Sequence, residues 1–129
     1  GLGDVYKRQV LVLPYTAQNH HTIAAAEIAL MKPTATLVNI ARGGIVDDAA
    51  LAQALQSGKI FAAGLDVFEG EPQVHPELLK CSNIVLAPHI ASATEKTRRA
   101  MVNLAVENLR AALDGKKPPS LINTEVFKA

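Results

Sequence analysis

Four short apolar runs recur along the chain, Val10–Leu13, Thr36–Ile40, Ile60–Leu65 and Ile84–Ala87, with helical patterns or loops between them. Runs of this length, rich in Val, Ile and Leu, suit strands buried on both faces. Strands alternating with helices require a parallel sheet with right-handed crossovers. The spacing predicts a first helix over Ile23–Met31, stopped at Lys32-Pro33 because proline cannot continue a helix. A second is predicted over Asp48–Gln56, with Asp47 as N-cap, Ala49, Leu51, Ala52 and Leu55 as the apolar face, and Gly58 as the stop. The segment Phe68–Ser82 holds Gly70, Pro72 and Pro76, and reads as loop with one turn near Pro76–Lys80. The last helix is predicted over Ala93–Leu113, opened by a Ser92/Glu95 capping box. Its expected buried stripe is Met101, Leu104, Ala105, Leu109, Ala112 and Leu113. Gly115 ends it, and Lys116–Ala129 reads as an extended polar tail. The fold class expected is α/β, part of a doubly wound parallel sheet with a C-terminal helix and tail.

The 129 residues are 49% hydrophobic but only 4% aromatic, so Ala, Val, Leu and Ile must build the core. Thirteen Lys and Arg against twelve Asp and Glu leave a net charge of +1, which argues against a nucleic-acid surface. No apolar run approaches the length that spans a bilayer, so no membrane partner is expected. A single cysteine, Cys81, excludes an intrachain disulfide and suits a reducing compartment, with a cytoplasmic location as the expectation. Residues 1–9, GLGDVYKRQ, show neither helical nor strand period and read as a non-native lead-in. Gly1-Leu2-Gly3 has no strand before it and no third glycine at the needed spacing, so it does not read as a dinucleotide loop. Val10 opens abruptly in a strand, as expected if the natural protein extends further N-terminally.

Ligands of an open parallel sheet bind beyond the carboxyl ends of its strands. Pro14, Tyr15 and Thr16 follow the first strand, and Ala41-Arg42-Gly43-Gly44 the second. Asp66 and then Glu71 follow the third, and Pro88-His89 the fourth. An arginine, two acids and a histidine thus leave one edge from three strands. Arginine holds a carboxylate through two parallel hydrogen bonds, a geometry lysine cannot supply. Histidine gives and recovers a proton near neutrality, and a glutamate beside it favours the imidazolium and fixes the ring. Reduction of a 2-keto acid needs this inventory together with a hydride, which no side chain provides and a cofactor must.

Three segments, NIARGGIVDDAAL (Asn39–Leu51), AAGLDVFEGEP (Ala62–Pro72) and LAPHIASAT (Leu86–Thr94), resemble in order and spacing the three signatures of the D-isomer-specific 2-hydroxyacid dehydrogenases. The resemblance covers Val10 to Asn123 and implies a Rossmann-like sheet that binds NAD or NADP. It implies that Arg42, Glu71 and His89 are catalytic: the arginine binds substrate, and the glutamate pairs with the histidine that acts as general acid. Asp66 matches the acid that holds the nicotinamide carboxamide. Ile40, Ala41 and Arg42, and His89, Ala91 and Ser92, match backbone lining the cofactor, with Pro14 and Thr16 as further cofactor-side candidates. The tail GKKPPSLIN resembles the branch acting on glyoxylate, hydroxypyruvate and related small acids, and the family implies a homodimer when complete. The family's GxGxxG loop, its ribose-selecting acid and most of its substrate domain are absent, so these residues alone are expected to turn over little. Residues 10–114 then correspond to the C-terminal half of the nucleotide-binding domain, and 115–129 to a tail leading toward the substrate domain. Alanine stands at 91 where the family often has glycine.

Each assignment has a plainer reading. Arg42 also reads as a surface arginine, His89 as a loop histidine, Asp66 as a turn acid and Glu71 as a solvated charge. His20 and His21, adjacent in a polar loop with no third ligand at useful spacing, read as loop residues, and no metal is expected. The competing functional reading is a dinucleotide-sensing module of the same fold without turnover. A third is a remnant competent only for docking.

Overall fold

The computed structural model describes residues 8–127. The chain divides into two compact units, Gly1–Ala91 and Ser92–Ala129. The Gly1-Leu2-Gly3 segment and most of the lead-in lie outside the described residues.

The first unit holds four parallel strands in sequential order, β1 (Arg8–Leu11), β2 (Thr36–Asn39), β3 (Ala62–Leu65) and β4 (Ile84–Leu86). Val10 pairs with Val38, Val38 with Gly64 and Gly64 with Val85. β1 starts and ends two residues earlier than the apolar run suggests. Its partner β2 stops at Asn39 opposite Leu11, so Val12 and Leu13 have no ladder to join. Arg8 and Gln9, grouped with the lead-in on sequence pattern, pair with Thr36 and Leu37. A parallel sheet linked through helical crossovers is the α/β, Rossmann-like architecture expected.

The crossovers set the burial. α2 (Asp48–Gln56) forms where its pattern predicts: the Asp47 carboxylate accepts from Ala50 N at 2.9 Å, and Gly58 takes φ +69° just beyond its C-cap. Its buried face of Leu51, Ala52 and Leu55 packs with Leu37, Ala63, Leu65, Ile60 and Leu78. α1 is only Ala25–Ala29, shorter than predicted. Ile23 is extended there, bridging Val46 and bonding Ile45 O and Asp47 N. The third crossover is loop with one 3₁₀ turn, Leu78–Lys80.

The expectation of strands buried on both faces is corrected. β2 and β3 alternate between buried and half-buried positions, while Val10 and Val85, on the edge strands, are exposed. Short helical crossovers bury one face of so small a sheet, and edge strands lack a neighbour.

In the second unit, α3 (Glu95–Leu113) begins later than predicted. Its cap is Thr94, whose hydroxyl accepts from Thr97 N at 3.2 Å, so the Ser92/Glu95 box does not form. None of its residues is buried, and Met101, Leu104, Leu109 and Leu113 of the predicted buried stripe are exposed. One helix and a tail contain no second layer against which a stripe can bury. The tail is not simply extended: Ser120 N donates to Asn108 Oδ1 at 2.9 Å, and a 3₁₀ turn forms at Thr124–Val126. Among the described residues no helix is long and apolar enough to cross a membrane.

Candidate active site

Arg42, Asp66, Glu71 and His89 follow the carboxyl ends of β2, β3 and β4. Beyond β2, buried Asn39 shapes the turn that presents Arg42. Its Oδ1 accepts from Ala41 N at 3.0 Å and its Nδ2 donates to Arg42 O at 3.1 Å. Arg42 is exposed, and its Nη1 donates to Ala41 O at 2.6 Å. Gly43 lies against the next loop so closely that a Cβ there would stand 1.8 Å from Phe68 O. Gly44 takes φ +76° and its carbonyl accepts from His21 N at 2.7 Å.

Beyond β3 the chain makes a second tight turn. Phe68 N donates to Glu71 Oε1 at 3.0 Å, and Glu69 N donates to the buried Asp48 carboxylate at 3.0 Å. Burial pushes the Asp48 carboxyl above the usual carboxylate range, and the bond from Glu69 N only partly offsets this. The other oxygen of Glu71 lies 2.8 Å from His89 Nδ1. Burial alone would raise Glu71, but the His89 and Phe68 N–H bonds outweigh it and hold the carboxyl below its ordinary value. The carboxylate therefore stays ionised near neutrality and can hold a hydrogen on Nδ1, leaving Nε2 to exchange a proton.

Beyond β4, His89 adopts φ +53°, rare for a residue with a side chain. Asp66 fixes this turn: its two oxygens accept from Ile90 N at 2.7 Å and Ala91 N at 2.8 Å. Asp66 is itself buried, and its N–H bonds Asn39 O, which links the β2 and β4 turns through β3.

Arg42, Glu71 and His89 all line one open pocket of about 310 Å³, shared with Tyr15, His20 and Gly44. The other predicted residues are not among its lining. Pro14 and Thr16 sit in an exposed loop knitted by Asn19, which bonds Pro14 O and Thr16 N. Ile40 is exposed, and the Ala41 backbone is engaged on both sides, by Asn39 and by Arg42. Ala91 donates to Asp66, and Ser92 opens the second unit. Sequence reading missed Asn39 and Asp48, which hold the Arg42 and Glu69 turns. A buried polar residue at a strand end was the only available signal for the first. The side chains can grip an anion and move a proton, but none can deliver a hydride, which fits a site completed by a hydride-carrying nucleotide.

A family profile described as "D-isomer specific 2-hydroxyacid dehydrogenase, NAD binding domain" matches residues 9–91. A glyoxylate reductase of Thermococcus onnurineus (strain NA1) is 54% identical over 118 residues, 92% of this chain and 35% of that protein. An NADPH-dependent glyoxylate/hydroxypyruvate reductase from Sinorhizobium meliloti, solved with NADP and malonate, is 44% identical. It superposes with a TM-score of 0.76 over 83% of this chain and 34% of that one. A D-isomer specific 2-hydroxyacid dehydrogenase from Lactobacillus delbrueckii ssp. bulgaricus in its NAD-complexed form is 32% identical. Its TM-score is 0.81, over 91% and 40% of the two chains. The chain spans about a third of the length of the curated relatives it matches.

Proposed function

The chain belongs to the D-isomer specific 2-hydroxyacid dehydrogenase family, and on that premise we propose what it does within a whole protein. It forms part of an NAD(P)-dependent oxidoreductase that interconverts a small 2-keto acid, of the glyoxylate or hydroxypyruvate type, and the D-2-hydroxy acid. Residues 10–114 supply the C-terminal half of the nucleotide-binding domain, and 115–129 lead toward a substrate domain in a homodimer. The observation that carries the reading is the His89–Glu71 pair, 2.8 Å apart, on the same pocket as Arg42.

Arg42 binds the substrate carboxylate through its guanidinium fork and polarises the neighbouring carbonyl. When bound, NAD(P)H supplies the hydride that reaches C2. His89 gives a proton from Nε2 to the carbonyl oxygen, so hydride and proton together convert the C=O to CH–OH. Glu71 keeps the other hydrogen on Nδ1 and stabilises the charged ring before the transfer. Asp66, through the N–H groups of Ile90 and Ala91, positions the turn that presents the imidazole. In oxidation the same histidine must be neutral to accept the proton.

The test is 2-keto-acid-dependent oxidation of NADH and NADPH by the full-length protein, with Arg42→Ala and His89→Ala beside it. Loss of a positioned acid removes about 10²–10⁴-fold in rate, so both variants should fall by at least about a hundredfold in kcat/KM. Turnover equal to the parent in both would overturn the assignment. A parent that binds dinucleotide but never turns over would favour the sensing module.

A further inference from the structure

His20 and Glu69, which line the pocket, form with His21 a cluster that the proposed reaction does not use. One ligand atom from each lies within 4.8 Å of the others. His21 Nε2 is 2.9 Å from Glu69 Oε2, and His20 Nε2 is 3.9 Å from Glu69 Oε1. We propose that these three residues bind one divalent transition-metal ion of the zinc class.

The two histidines carry the argument jointly. A histidine–glutamate ion pair needs one imidazole, yet here two address the two oxygens of one carboxylate. Their rings stack 3.7 Å apart at 23°. Near-parallel rings aim their in-plane lone pairs side by side, so one ring must turn out of the stack for both Nε2 atoms to meet one ion. His21 Nδ1 faces Asp47 Oδ2 at 3.8 Å, beyond hydrogen-bonding distance, whereas His20 Nδ1 lies within hydrogen-bonding distance of Tyr15 Oη, at 3.2 Å. Outer groups of this kind orient metal-binding histidines and leave Nε2 facing the ion. Zinc bonds to imidazole nitrogen and carboxylate oxygen run about 2.0–2.2 Å, which puts two ligands of one tetrahedral ion about 3.3 Å apart. His21 Nε2 and Glu69 Oε2, at 2.9 Å, are near that spacing already, and turning the exposed His20 ring out of the stack brings its Nε2, now 3.9 Å from Glu69 Oε1, to it.

The scaffold beneath is fixed. His21 holds φ +51° with its N–H on Gly44 O, and Glu69 N is held by Asp48. Three protein ligands leave a fourth position for water or an anion. Two nitrogens and a carboxylate suit zinc, nickel or copper better than magnesium or calcium. Adjacent histidines conceal this set in the sequence because Glu69 lies 48 residues beyond His21.

The test titrates the full-length protein with zinc chloride by calorimetry and with cobalt(II) chloride by visible absorption. The expected result is one saturable equivalent that His21→Ala and Glu69→Gln each weaken by at least about tenfold, with a ligand-field band that both variants abolish. His75→Ala, a histidine outside the cluster, should bind like the parent. Should His21→Ala fail to fold, His20→Ala, whose side chain is 43% exposed, must show the same weakening. No saturable equivalent in the parent, or parent-like binding by Glu69→Gln or His20→Ala, would overturn the proposal.

Discussion

Replacing Gly43 by alanine tests how the Arg42 and Glu71 turns are held together. The added methyl carbon would stand 1.8 Å from Phe68 O, 2.3 Å from Phe68 C and 2.9 Å from Glu69 N. Non-bonded heavy atoms settle at about 3.5 Å, so the two loops must part by roughly 1.5 Å. The Phe68–Glu69 backbone cannot simply yield, because Phe68 is buried, Phe68 N bonds Glu71 and Glu69 N bonds Asp48. Overpacking costs about 1–3 kcal/mol, and losing a hydrogen bond to a charged group adds about 1.5–3 kcal/mol. A loss of about 3–5 kcal/mol is a large part of the ~5–15 kcal/mol that holds a domain folded. Melting should fall by about 10 °C or more, read by circular dichroism on the full-length protein. A shift of about 1 Å between reacting groups costs on the order of a hundredfold in rate, so kcat/KM should fall at least that far. Gly64→Ala is the control, since its Cβ would meet only Val38 Cγ2 at 3.9 Å. A Gly43→Ala protein that melts and turns over like Gly64→Ala would refute the reasoning.

Other expectations follow from the same contacts. Glu71→Gln should reduce turnover by about a hundredfold. Because the folded carboxyl sits below its ordinary value of 4.5, the stability Glu71 contributes is full above that pH and disappears as pH falls through the lowered value. The gap between parent and Glu71→Gln in urea melts should therefore close only in acid. Asp48 has the opposite sign: its raised carboxyl favours the fold below 3.8, and that contribution is lost as pH rises through the raised value. Asp48→Asn, which keeps an oxygen for Glu69 N, should gain stability on the parent from acid to neutral pH; a constant gap would count against a buried, ionised Asp48. Asp66→Asn turns one acceptor toward a backbone N–H into a donor, at a cost of about 1–3 kcal/mol, and should lower kcat through His89. Asn39→Ala should raise KM for the keto acid more than it lowers kcat, because it loosens the turn carrying Arg42; a pure kcat effect would contradict that.

What the sequence made legible was chiefly local. α2 forms with its predicted bounds because Asp47 bonds Ala50 three residues on and Gly58 takes the left-handed conformation beside it. Arg42, Glu71 and His89 were readable because each follows a strand within a few residues. Interactions between distant segments were not readable. Ile23 fits a helical pattern, yet Val46 draws it into an extended bridge. Asp48 looks like an ordinary first-turn acid until its bond to Glu69, 21 residues away, is known. Asp66 reads as an acid at a strand end, and only the fold shows its oxygens accepting from N–H groups 24 and 25 residues further on. The stripe on α3 was correctly apolar, but periodicity cannot show whether anything covers it.

The most direct test of the central claim compares two pH–rate profiles of the full-length protein, one for keto-acid reduction and one for oxidation of the D-2-hydroxy acid. If His89, held by Glu71, is the proton carrier, acidification should suppress oxidation, which needs neutral imidazole, while reduction persists. Identical pH dependence in both directions would contradict that role.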